Sequence, residues 1–170
     1  MSHFLQPLGR RRFLQWAGCA TTLGQVTTGN SWAHKPAPRP RVAAIFTEFR
    51  FRSHAYNILE NFLRPYLFRG QLTDPGVDVV SFYADQFPDN DMAREAAKRF
   101  GIPLFKSIDQ ALCLGGQKLA VDAVLSIGEH GNYPINKRGQ RMYPRKEFFD
   151  QSVAVMKRSG RFVPFFNDKH

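Results

Sequence analysis

Cysteine is almost missing from this chain: 170 residues include only two, Cys19 and Cys113. A disulfide-stapled scaffold is therefore excluded. Acidic residues are scarce as well, with 14 Asp and Glu against 24 Lys and Arg and a formal net charge of +10. Such a balance favours acidic partners without naming one. The basic residues are scattered, and no recognition-helix, ribonucleoprotein or zinc-finger pattern is present, so nucleic acid is not an expected partner. No apolar run reaches the roughly 18 residues that a membrane span needs. Repeats of solenoid period are also lacking. What remains is a globular composition, 43% hydrophobic and 22% charged, of a length suited to one domain with an appendage.

The appendage is N-terminal. Arg10-Arg11-Arg12-Phe13-Leu14-Gln15 resembles the twin-arginine export signal, in which two arginines and any residue precede Phe-Leu. A moderately apolar stretch, Phe13 to Leu23, follows the basic flank and is too short to span a membrane. Ser31-Trp32-Ala33 places small residues at the −3 and −1 positions of a cleavage site. Residues 1–33 are thus read as a twin-arginine signal peptide, which implies the export machinery as a partner and a periplasmic or secreted mature chain. Residues 34–40 (HKPAPRP) form a proline-rich linker, expected to be extended and unpacked.

From residue 41 onward, apolar runs alternate with helical patterns. Arg41–Thr47, Val77–Tyr83, Leu104–Lys106, Val121–Ile127 and Arg161–Phe166 read as five strands. Ser53 is placed to cap a helix carrying Ala55, Ile58, Leu59, Phe62 and Leu63, which Pro65 ends. A second helix runs from about Asp91 to Phe100 and stops at Gly101. Ser107 with Gln110 forms a capping box for a short third helix, and a fourth starts after Pro144 and stops at Gly160. This rhythm predicts an α/β fold: a three-layer, Rossmann-like parallel sheet of order 3-2-1-4-5 over residues 41–170. Because an apolar strand lies four residues before His170, the domain is expected to be incomplete, an N-terminal fragment of a longer protein.

Three local patterns resemble the N-terminal half of the glucose–fructose oxidoreductase and inositol dehydrogenase family. Ala96-Ala97-Lys98-Arg99-Phe100-Gly101-Ile102-Pro103 is similar to the family's helix ending in aromatic-Gly-Ile-Pro. Ser107 to Leu112, followed by Val121-Asp122-Ala123-Val124, resembles its capped short helix and following strand. Ser159-Gly160-Arg161-Phe162-Val163, then Asp168-Lys169, resembles its Ala-Gly-Lys-x-Val strand and the Glu-Lys-Pro at its end. The resemblance implies an NAD(P)-dependent oxidoreductase acting on a sugar or polyol. It places Lys169 near nicotinamide and substrate, with Asp168 replacing the family's Glu and His170 its Pro. Asp85, just after the second strand, matches the acid that bonds the adenosine ribose.

One departure is large. The family's first strand leads into a glycine-rich turn that lets backbone approach a pyrophosphate. Here the turn, Thr47-Glu48-Phe49-Arg50-Phe51-Arg52-Ser53-His54, has no glycine. Glu48 would repel a phosphate; Arg50, Arg52 and the capping Ser53 are left as the residues able to contact one.

In an open parallel sheet the ligand crevice lies beyond the carboxyl ends of the strands. Glu48, Glu129, His130, Asp168 and His170 follow strands one, four and five and are expected to share that crevice. Glu48, Glu129, His130 and His170 suit a divalent metal. His130, Asp168 and Lys169 suit acid–base work on a sugar hydroxyl. The long segment Gly128–Tyr143 lies on the same side, with Tyr133 and Tyr143 able to stack on a sugar and Lys137, Arg138, Arg141 and Arg145 making it basic.

Two readings follow. One is an exported oxidoreductase-like protein of the NAD(P)-dependent sugar and polyol type. The other is a non-catalytic or metal-dependent carbohydrate-binding protein that kept the fold and lost the nucleotide. Both share the export step, which an intact mass of the protein from its host's periplasm tests: a chain starting at His34 is expected, and an uncleaved Met1 contradicts the signal.

Overall fold

The computed structural model describes residues 37–169. The signal, its cleavage site and His170 lie outside the described residues. The elements, in chain order, are β1 (Arg41–Phe46), α1 (His54–Leu63), β2 (Tyr66–Phe68), β3 (Gln71–Thr73), β4 (Asp78–Ala84), α2 (Ala93–Phe100), β5 (Leu104–Phe105), α3 (Ile108–Cys113), β6 (Ala123–Ile127), α4 (Arg145–Ser159) and β7 (Phe165–Asn167). No helix among the described residues is long and apolar enough to cross a membrane.

Five strands form one parallel sheet in the order β5-β4-β1-β6-β7. Numbered along the chain, this is not the expected 3-2-1-4-5. The hairpin β2–β3, a separate two-stranded sheet, adds two strands between the first and second strands read from the sequence. Those five strands correspond to β1, β4, β5, β6 and β7. The hairpin turns on Arg69 and Gly70, both at positive φ (51° and 78°), the requirement of a two-residue turn that matches strand twist.

β1 is the centre of the sheet and explains the layers. Its Val42, Ala44 and Phe46 face one way, into a cluster with Ala55 and Leu59 of α1 and Ala93, Ala96 and Ala97 of α2. Ala43 and Ile45 face the other way, into a cluster with Ile108, Ala111 and Leu112 of α3 and Phe148, Val155 and Met156 of α4. A strand buried on both faces must be apolar throughout, which is why Arg41–Phe46 reads as an unbroken run rather than an alternation. The α/β class with helices on both faces of a parallel sheet therefore stands.

The helix punctuation is physical as well as statistical. Ser53 Oγ accepts the Tyr56 amide at 3.2 Å, and Ser107 Oγ accepts the Gln110 amide at 3.2 Å. Gly101 and Gly160 end α2 and α4 in the left-handed region, φ 66° and 64°. Two boundaries differ from expectation. The linker's end is not free: Arg39 pairs with Asp74 at 2.9 Å and Asp78 at 2.8 Å, and the Pro40 carbonyl accepts the Asp78 amide. The last strand starts at Phe165, so Pro164 precedes it and gives its carbonyl to Val124. An N–H-free residue sits well just ahead of an edge strand.

Phe82 on β4 is fully buried and meets Phe46 edge-on, with ring centroids 5.5 Å apart. Phe82→Ala is expected to lower unfolding free energy by about 3–5 kcal/mol in urea denaturation. A loss below about 1 kcal/mol would contradict this packing.

Candidate functional site

The turn after β1 begins with a buried carboxylate. Glu48 is 5% exposed, a position that an ionised group holds only with a cation beside it. Arg50 supplies it, two residues on: its Nε donates to Glu48 Oε1 at 2.5 Å. The other end of that guanidinium lies 3.4 Å from Nδ1 of His130. His130 sits edge-on against His54, ring centroids 5.0 Å apart. His54, at the first position of α1, places Nδ1 2.7 Å from Asp168 Oδ2, just past β7. The turn after β1 and the segments after β6 and β7 thus meet in one chain of contacts: Glu48, Arg50, His130, His54, Asp168.

Of the residues expected in this crevice, Glu48, His130 and Asp168 are brought together, and Arg50, read as a phosphate contact, and His54 join them. His54 was not singled out in the sequence. Its signal was position alone, the residue after an N-cap that itself follows a strand end. Glu129 is directed elsewhere: its carboxylate takes Arg145 Nη2 at 2.5 Å, and its carbonyl accepts the Thr47 hydroxyl. Gly128 allows this approach, because a Cβ there would stand 2.7 Å from Arg145 Cγ. Arg145 is thereby held by Glu129 rather than offered to an anionic ligand. Arg52, at φ 60°, is exposed with its guanidinium over the Phe51 ring. Lys169 is exposed, with no hydrogen bond or ion pair among the described residues.

Asp85 lies beyond β4, apart from the His54–Asp168 pair. It accepts hydroxyl hydrogen bonds from Tyr83 at 2.8 Å and Tyr133 at 2.6 Å. Both phenols are pushed up, first by burial and then by the Asp85 carboxylate that their protons serve. Tyr133 and Tyr143 meet each other edge-on at 5.7 Å, and the Arg145 guanidinium lies over the Tyr143 ring.

The positions expected to hold a dinucleotide carry other contacts. Ser53 Oγ caps α1 by taking the Tyr56 amide. The Glu48 carboxylate is buried in the turn beside it. Asp85, the expected ribose acceptor, is taken by two tyrosines. The expected metal set is not assembled among the described residues, and its fourth member, His170, lies outside them. Glu48, Glu129 and Asp168 are each bound by Arg50, Arg145 and His54 respectively. Among the described residues no group of three or more His, Cys, Asp and Glu side chains is arranged to hold an ion.

The two imidazoles are left with complementary ring nitrogens. Arg50 can only donate, so His130 Nδ1 is the acceptor and the ring proton is assigned to Nε2. That Nε2 is buried and has no partner. Asp168 can only accept when ionised, so His54 carries its proton on Nδ1 and, when neutral, presents Nε2 as an acceptor. The site thus offers one imidazole donor and one imidazole acceptor.

His130 is held below the usual histidine value near 6.5, first by burial and next by the positive Arg50 and His54, against the pull of Glu48 and Glu129. The neutral ring therefore contributes stability that is complete above about pH 6.5 and lost as pH falls toward the lowered folded value. His130→Gln is expected to flatten that part of the stability–pH curve, measured by denaturant midpoints between pH 5 and 8. Arg50→Met leaves Glu48 buried without its cation and is expected to cost about 3 kcal/mol, of which Glu48→Gln in the same chain restores more than half. An additive double mutant would contradict the pairing.

Compared with protein-family models, curated proteins and solved structures, the chain matches none of them, and the chemistry of the site rests on its own geometry.

Proposed function

We propose that this chain is an exported, Rossmann-like carbohydrate-binding protein that takes a small hydroxylated ligand, a sugar or polyol, and uses no dinucleotide. Of the two readings of the sequence, this is the one in which the fold is kept and the nucleotide lost. The resemblance to sugar and polyol dehydrogenases bears on the ligand class, and the twin-arginine leader on the location.

The observation that carries the reading is the pair of ring nitrogens left over by His54 and His130. An alcohol hydroxyl is both donor and acceptor. In this reading a ligand hydroxyl donates to His54 Nε2, and it accepts from His130 Nε2–H only once that buried atom is uncovered. Asp168 fixes the His54 tautomer and ring plane. Arg50 does the same for His130. A buried N–H without a partner is costly, and a ligand that supplies the partner recovers that cost. Lys169, exposed and next in the chain after Asp168, is the residue this reading assigns to a second ligand oxygen.

Binding is read by saturation-transfer NMR and calorimetry against a panel of monosaccharides, uronates and polyols. At least one member is expected to bind. His54→Ala is expected to weaken it by tenfold or more, and Asp168→Asn by about tenfold, through the lost orientation of His54. No binding to any member at millimolar concentration, or unchanged binding in His54→Ala, would overturn the reading.

A further inference from the structure

The crevice beyond the strands is crossed by the chain itself. Leaving β6, residues 128–133 run over β1 and reach the end of β4. Four attachments mark the path. The Glu129 carbonyl takes the Thr47 hydroxyl at the end of β1. His130 meets Arg50 and His54. Asn132 exchanges a pair of hydrogen bonds with the Gln86 side chain, its N–H donating to Oε1 at 2.9 Å and its carbonyl accepting from Nε2 at 3.1 Å. Tyr133 donates to Asp85 at 2.6 Å. Gly131 lets the strap lie this close. Its φ is 104°, and a Cβ there would stand 2.7 Å from the Tyr133 ring and 3.1 Å from Gln86 Oε1.

The strap runs from the His54–His130 contact to the carboxyl end of β4, where Asp85 also lines an open cleft of about 330 Å³ with Phe87, Phe105 and Lys106. A ligand laid across the carboxyl ends of β1 and β4 would have to displace the segment that Gln86 and Asp85 hold down.

We infer that the 128–133 strap, latched by Tyr133 on Asp85 and Asn132 on Gln86, covers the carboxyl ends of β1 and β4 and excludes ligands of dinucleotide length from this crevice. The inference deepens the proposed loss of the nucleotide and does not depend on which small ligand the His54–Asp168 site takes. Tyr133 and Gln86 act through the strap, so they are positioning residues.

Two readouts without any sugar test this, so their failure is separate from failure of the His54–Asp168 reading. The first is amide hydrogen exchange on the exported protein. The Asn132 amide is expected to be protected in the wild type and to exchange about tenfold faster in Tyr133→Phe and again in Gln86→Ala, with β1 and β6 amides unchanged. The second is a fluorescence titration with NADH, for which no binding to the wild type is expected up to millimolar concentration. Exchange of the Asn132 amide at the rate of a free chain would overturn the inference. So would unaltered protection in both variants, or saturable NADH binding by the wild type.

Discussion

A carboxylate buried at the end of the central strand constrains everything around it. Glu48 follows β1 directly and is almost entirely out of water. Such a charge persists only where the fold supplies a cation and hydrogen bonds in fixed geometry. Arg50 turns back to meet it. Turning Arg50 inward places its other guanidinium edge on His130, and His130 in turn stands against His54. The glycine-free turn is therefore more than a lost phosphate loop. Its side chains occupy the space that glycine would have left open, and they build a different site there.

This arrangement separates fold from function along one strand end. The parallel sheet still gathers its loops at the carboxyl edge, as any doubly wound sheet does. The residues delivered there answer to one another: Glu129 to Arg145, Asp168 to His54, Asp85 to Tyr83 and Tyr133. Three carboxylates that looked like free ligands in the sequence are committed to cations or phenols within the chain. The proposed site draws on groups these pairs leave over: the outer ring nitrogens of His54 and His130 and the exposed Lys169.

The sheet strands and helices were legible because their signals are local. The buried run at β1, the Ser53 and Ser107 caps and the glycines at 101 and 160 each act within one or two turns of chain. The hairpin β2–β3 escaped because each of its strands has only three residues, too few to show alternation. Strand-end position grouped Glu48, Glu129, His130, Asp168 and His170; Glu48, His130 and Asp168 are linked through Arg50 and His54, Glu129 turns to Arg145, and His170 lies outside the described residues. Position could not show which carboxylate each cation would choose, because that depends on contacts across more than a hundred residues, as between His54 and Asp168. Nor could it show the strap: Tyr133 meets Asp85 only because Gly131 bends the chain back over β4. The stacking role read for Tyr133 and Tyr143 followed from residue type, whereas their placement is set by Asp85 and by each other.

The account turns on the protonation pattern of two rings. Long-range ¹H–¹⁵N correlation of the imidazoles at neutral pH observes it directly. The account predicts the proton of His54 on Nδ1, toward Asp168, and that of His130 on Nε2, away from Arg50. A His54 ring protonated on Nε2 alone, or a His130 ring protonated on Nδ1, would remove the donor–acceptor pair and contradict the proposed site.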